Sequence, residues 1–182
     1  MKKIIYGVLV LAIFSFSNSA NAQMETKGAN FINLGLGFPV IPTGIGFNAS
    51  YEYGIFNTIS IGGLLEFNTG NDTYGYINGN GIYNYSNRRV NTIALAFRGS
   101  YHFNKLLRIK QKNVDIYAGG ATGVYVRHYS YDGNSGINQN GSADYLYGVL
   151  AGAKYFISDH FGFFGELSSY NSILKVGIAL KF

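Results

Sequence analysis

Apolar and polar positions alternate with a period of two along most of this chain, and the pattern recurs about eight times between Ala29 and Phe182. Ile32, Leu34, Leu36 and Phe38 share one parity, with Asn33, Gly35 and Gly37 between them, until Pro39 and Pro42 end the run. Because successive strand side chains point to opposite faces, this predicts a first strand over Ala29–Phe38 with one apolar face. A second, over Gly44–Gly54, sets Ile45, Phe47, Ala49, Tyr51 and Tyr53 against Gly46, Asn48, Ser50 and Glu52. The third starts at Ile59 and reaches Phe67, and the fourth opposes Ile93, Leu95, Phe97, Tyr101 and Phe103 to Thr92, Arg98 and Ser100. Val114, Ile116, Val124 and Val126 face away from Asp115, Tyr117, Gly119 and Arg127 in the fifth. The sixth carries Tyr145, Tyr147, Val149 and Tyr155, the seventh Phe161, Phe163 and Leu167, and the eighth runs from Leu174 to Phe182. Connections after the second, fourth and sixth strands are short to medium. Two others, Thr69–Arg89 and His128–Ala143, are long and polar.

The strand charges decide which face is inside. Glu52, Glu66, Asp115 and Glu166, with Arg98, Arg127, Lys154 and Lys175, all have the parity of the Gly, Ser and Ala positions. The surface of a soluble, lipocalin-like barrel would be crowded with Lys and Glu. A narrow lumen needs small residues and ions that pair, because an enclosed unpaired charge is costly. On the other face Tyr51, Tyr53, Tyr101, Phe103, Tyr155, Phe161 and Phe163 gather near the short turns, and Phe67 and Tyr145 near the long loops. This is the distribution of two interfacial girdles. The pattern predicts an all-β fold, an antiparallel up-and-down transmembrane β-barrel of about eight strands. Its lumen should be filled by that ion network and non-conducting, since eight strands enclose just room for side chains.

The N-terminus reads as an address. Lys2 and Lys3 precede the uncharged apolar run Ile4–Phe16, and Ala20-Asn21-Ala22 has the small-x-small form of a cleavage site. The run is shorter than the roughly 18–20 residues that span a bilayer. Residues 1–22 are therefore expected to be a signal peptide and residues 23–182 the barrel, placed in the outer membrane of a Gram-negative bacterium. Gly (25), Tyr (16) and Phe (14) are abundant and cysteine is absent, which removes disulfides and thiol chemistry. The formal charge of +5 includes Lys2 and Lys3, whose removal leaves +3. That is too modest to point to nucleic acid.

The mature chain resembles, end to end, the small eight-stranded outer-membrane proteins of the OmpX, OmpA-barrel and opacity-antigen type. The final run Leu174-x-Val176-x-Ile178-x-Leu180-x-Phe182, with its terminal aromatic, looks like the signal that family presents to the barrel assembly machinery. The resemblance implies outer-membrane lipid and that machinery as partners, and leaves the role open, because the family holds adhesins, structural anchors and lipid enzymes.

Candidate chemistry is sparse, and no cofactor or metal site is expected. His128 and Ser130 share a face at i and i+2, as in a lipid A deacylase pair, with Asp132 or Asp144 as imaginable acidic partners. A polar loop start is the plainer reading. Ser100 and His102 lie on the lumen parity near the short turns and should join the internal polar network. Asp132–Gly136 lacks the later acidic ligands of a calcium loop. Gly119-Gly120 lies inside a strand, where glycine relieves crowding. In Thr69–Arg89, Tyr74, Tyr76, Tyr83 and Tyr85 flank Asn78-Gly79 and Asn80-Gly81, a hairpin-turn signal. Tyr, Asn and Gly are also what binding loops use. These four tyrosines are the candidates for an extracellular surface ligand, or else a cross-strand cluster bracing the hairpin. The expected role is non-enzymatic, structural or in surface recognition, with a lipid-modifying enzyme or a narrow channel on the same scaffold as alternatives.

Overall fold

The computed structural model describes residues 26–39, 43–77, 81, 83–131 and 141–182, with positions 74, 76, 84, 86 and 131 given by backbone alone. The 1–22 segment, residues 132–140 and most of the turn expected at 78–81 lie outside the described residues. Eight antiparallel strands follow one another in chain order round a closed barrel. They are β1 (Asn30–Phe38), β2 (Thr43–Phe56), β3 (Ile59–Ile77), β4 (Tyr83–His102), β5 (Val114–Tyr131), β6 (Ser142–Phe156), β7 (Phe161–Ser168) and β8 (Leu174–Lys181). β1 closes the ring against β8, from Phe31↔Lys181 to Phe38↔Leu174. Asn30 and Phe182 exchange backbone hydrogen bonds of 2.9 and 3.0 Å at the foot of the seam.

The register fixes the tilt of the strands. Starting from Leu34, one route runs through Ala49, Leu65, Leu95 and Val124 to Tyr145 on β6. The other runs through Ile178 and Phe163 to Tyr155 on the same strand, ten residues further on. That stagger inclines the strands steeply to the barrel axis, and an eight-stranded ring of this kind encloses a space that side chains fill. Face assignment follows parity as expected. Phe47, Leu95, Phe97, Tyr147 and Val149 are exposed on the outside, while Glu52, Glu66, Arg98, Asp115, Lys154, Glu166 and Lys175 are buried within.

The interior is less polar than the strand pattern predicts. Leu64, Leu146, Leu150 and Tyr170 pack with Tyr117 and small alanines in one inward-facing cluster, and Phe31, Phe156 and Phe164 with Ala29 and Ala179 in a second. A strongly staggered ring leaves volume that Gly, Ser and ions alone do not fill.

The rim is uneven. β1, β7 and β8 have nine, eight and eight residues, whereas β3, β4 and β5 have nineteen, twenty and eighteen. The hairpin expected over Thr69–Arg89 has its two arms in β3 and β4, with Gly70↔Val90 through Ile77↔Tyr83 paired without interruption. His128–Tyr131 likewise continues β5 against Arg88–Asn91. Asp72 binds Arg88 at 2.7 Å and Thr73 donates to Asn87 at 3.0 Å across this extension. Such cross-strand pairs offset the poor strand propensity of Asn and Asp. On the low side the connection Ser169–Ile173 folds inward, with Tyr170 and Ser172 buried. At the opposite end the turn from Thr26 to Ala29 tucks under β2, where the Gly28 N–H donates to the Gly54 carbonyl at 2.8 Å.

The neighbours Gly119 and Gly120 test how tightly the staggered wall is built. A Cβ at Gly119 would lie 1.9 Å from the Gly99 carbonyl oxygen, but one at Gly120 meets nothing nearer than 3.4 Å. Gly119→Ala should therefore cost about 1–3 kcal/mol of unfolding free energy, as overpacking does. Gly120→Ala should be neutral or slightly stabilising. Urea titration of the folded band on a denaturing gel checks both, and equal behaviour of the pair would contradict this geometry.

Candidate functional site

The chemistry of the interior is a continuous polar chain that runs up the barrel. It begins near the short turns. His102 Nδ1 lies 2.7 Å from Asp115 Oδ1, and its Nε2 lies 2.9 Å from Ser60 Oγ. Ser60 donates in turn to Glu52 at 2.7 Å. Lys154 stands 3.6 Å from Glu52 and 3.7 Å from Asp115, over the rings of Phe31 and Tyr117 at 4.3 and 4.6 Å. Halfway up, one Arg98 nitrogen serves two acids, Glu166 at 2.7 Å and Glu52 at 3.4 Å. Tyr117 also donates to Glu166, at 3.1 Å. Lys175 bridges Glu166 and Glu66, with the Tyr170 ring 4.2 Å from its ammonium. Asn171 then donates to Glu66 at 2.7 Å from the infolded turn, and Ser172 joins Asn68. The chain thus passes from the short-turn end to the inner surface of the Ser169–Ile173 turn.

Seven of the eight ions read from the strand pattern meet in this chain, and Arg127 does not. It lies opposite Thr92 and Ser142, six positions along β5 from Ala121, which faces Arg98. That height belongs to the raised part of the wall, where Arg127 stacks on Tyr125 at 4.4 Å and Tyr125 donates to Asp144 at 3.2 Å. Above it Arg88 holds Asp72 and covers the Tyr129 ring at 4.5 Å. His102 joins the chain in place of Arg127, its Nδ1 against Asp115 and its Nε2 against Ser60, whose hydroxyl donates to Glu52. The lumen parity of His102 was the signal for this. What parity does not convey is height, which separates Arg127 from the rest.

Ser60, His102 and Asp115 have the order and spacing of a nucleophile, a base and an orienting acid. The surroundings oppose that chemistry. Ser60 is wholly buried, its proton is committed to Glu52, and a carboxylate occupies the neighbourhood where an oxyanion would need donors. The outer pair fares no better. His128 and Ser130 are exposed on the outer face of β5, whereas Asp144 lies on the inner side bonded to Tyr125. Asp132 lies outside the described residues. Among the described residues no group of His, Cys, Asp and Glu has the arrangement of a metal site.

The four loop tyrosines separate. Tyr74 lies opposite Ser86 and Tyr76 opposite Asn84, whereas Tyr83 faces Ile77 and Tyr85 faces Gly75. Opposed residues share a face. Positions 74 and 76 therefore fall on one side of the ribbon and Tyr83 and Tyr85 on the other, which rules out one cross-strand cluster of four. Tyr83 and Tyr85 meet edge to face at 5.4 Å and are 60 % and 75 % exposed.

No known protein-family model matches this chain, and no curated protein matches it in sequence. Solved structures do. A de novo designed transmembrane β-barrel is 14 % identical and superposes with a TM-score of 0.51, covering 87 % of this chain and all of its own. The N-terminal β-barrel domain of Pseudomonas aeruginosa OprF is 15 % identical, with a TM-score of 0.49 over 86 % of this chain and 98 % of that one. Ail, the attachment invasion locus protein of Yersinia pestis, is 15 % identical, with a TM-score of 0.47 over 86 % and 99 %. At these identities the likeness is one of fold, and the fold is that of an eight-stranded transmembrane β-barrel.

The ion chain makes a paired prediction. Arg98→Ala leaves Glu52 and Glu166 without their shared cation and should destabilise the barrel by about 3–5 kcal/mol, as removal of one buried partner does. Arg127→Ala should change stability by less than about 1 kcal/mol, the usual scale away from buried networks. Denaturant unfolding of both variants measures the contrast, and equal losses would show that Arg127 shares the load.

Proposed function

We propose that this protein is a non-enzymatic barrel of the bacterial outer membrane, sealed and non-conducting, that serves surface recognition or structural support. The observation carrying the reading is the raised wall formed by the upper parts of β3, β4, β5 and β6. It continues past the outward apolar row of Phe67, Ile93 and Val126. Beyond that row the outer face turns to Thr69, Asn91 and His128 and then to Asn71, Arg89 and Ser130, a change from lipid-compatible to water-compatible side chains. Tyr83, Tyr85 and Ile77 stand exposed still further along. Aromatic surface held in water by paired backbone is contact area for a partner. Among the described residues, Asp72–Ile77 of β3 and Ser142–Gly148 of β6 also have a strand partner on one side only. Such edges are open to a further strand. The same proposal includes export by residues 1–22, insertion among outer-membrane lipids, recognition of β8 and Phe182 by the barrel assembly machinery, and an extracellular surface ligand.

Two measurements test it. Cells displaying Tyr83→Ser/Tyr85→Ser should keep a heat-modifiable barrel in the outer-membrane fraction and lose attachment to host or neighbouring surfaces by about tenfold, the scale of a lost interface anchor of 1–2 kcal/mol. Unchanged attachment would remove this hairpin from recognition, and recovery as a soluble periplasmic monomer would end the membrane reading. In planar bilayers the purified protein should give no discrete conductance steps, because side chains pack its interior. Stable single-channel currents would contradict a sealed interior.

A further inference from the structure

At the short-turn end, residues 103–113 join β4 to β5 and form a longer connection than 57–58 or 157–160. This turn carries Lys105, Arg108, Lys110 and Lys112 and no acidic residue. All four cations are exposed, and among the described residues none of them makes an ion pair. Between them Leu106 and Leu107 are 65 % and 55 % exposed. The turn is built rather than slack. Leu107 N–H donates to the Phe103 carbonyl at 2.8 Å and Ile109 N–H to that of Asn104 at 2.9 Å. The buried Asn104 side chain accepts from Ile116 N–H at 2.9 Å and donates to the Val114 carbonyl at 2.6 Å, pinning the turn to β5. Arg108 holds a left-handed backbone, φ 53°, that a non-glycine residue adopts at a cost.

Its position gives these features meaning. The turn continues directly from Tyr101 and Phe103, whose rings meet edge to face at 5.0 Å on the outer side of the wall. Aromatics there mark the lipid–water boundary. Exposed leucines are unfavourable in water, and so are four like charges on one short turn. At the surface of an anionic bilayer leaflet both become favourable, the leucines against acyl chains and the cations against phosphates.

We propose that residues 105–112 clamp anionic phospholipid headgroups on the leaflet facing the short turns, with Leu106 and Leu107 inserted and Lys105, Arg108, Lys110 and Lys112 holding phosphate. This rests on the membrane reading above. The partner is a phospholipid rather than an acidic protein or cell-wall polymer, because the patch is continuous with the lipid-facing girdle.

The chain contains no tryptophan, so Leu107→Trp introduces a single reporter. The full barrel is folded into vesicles of phosphatidylcholine with phosphatidylglycerol, brominated on the acyl chains of one lipid or the other. Phosphatidylglycerol bromine should quench the reporter several-fold more than phosphatidylcholine bromine at equal mole fraction. The preference should disappear when Lys105, Arg108, Lys110 and Lys112 are all changed to Gln, and should weaken in high salt. Leu106→Trp repeats the measurement should Leu107→Trp fail to fold. A heat-modifiable barrel whose tryptophan is unquenched, or equally quenched by both lipids, overturns the clamp and leaves the membrane reading intact. So does cation-dependent retention on peptidoglycan or on an acidic protein in place of the lipid preference. Failure of the unsubstituted chain to insert at all removes the membrane reading, and the clamp with it.

Discussion

A ring of eight staggered strands has no spare interior, and this constraint organises the whole molecule. Closing the sheet satisfies every ladder hydrogen bond without an edge inside the hydrocarbon layer. The same closure forces half of all strand side chains into a space with no bulk water. Charges that enter must arrive with partners, because the interior removes their solvation by water and only an opposite charge with good hydrogen bonds offsets that loss. Arg98 between Glu52 and Glu166, and Lys175 between Glu166 and Glu66, follow from that requirement. The apolar clusters around Phe31 and Leu64 occupy what remains.

Parity along the chain made most of this legible. It separates Ile45, Phe47 and Leu95 from Glu52, Arg98 and Glu166 with no reference to tertiary structure, because a strand offers just two directions. Three features were not legible for physical reasons. Strand length in the raised wall depends on partners: His128–Tyr131 looks like a loop start by composition but is held by β4 across from it. Height is the second. Arg127 and Arg98 have the same facing, yet the tilt puts one beside Tyr125 and the other at the centre of the ion chain. Inward apolar residues are the third. Leu64, Leu146 and Leu150 interrupt the alternation at the parity of the ions, and only the shape of the staggered interior shows that bulk is needed there.

The polar chain also shows why triad geometry is a poor guide without its surroundings. Serine, histidine and aspartate converge because a hydroxyl and an imidazole are economical connectors between two carboxylates. Burial removes access, and the serine hydroxyl donates its hydrogen bond to Glu52. The arrangement transmits hydrogen bonding from Asp115 to Glu52 and leaves no reactive oxygen for a substrate.

The uneven rim has a consequence of symmetry. A barrel with strands of equal length looks alike from every azimuth, and one free in a bilayer spins about the membrane normal without changing what it shows its surroundings. Here β3, β4 and β5 rise on one side while β7, β8 and β1 stop short. The molecule has a front and a back. Anything that grips the front from a fixed surface must halt that spin, and the lost rotational freedom is charged against every such encounter. Neighbours packed in the membrane plane around the low side would have halted it beforehand, so lateral crowding and any grip on the front act on the same degree of freedom.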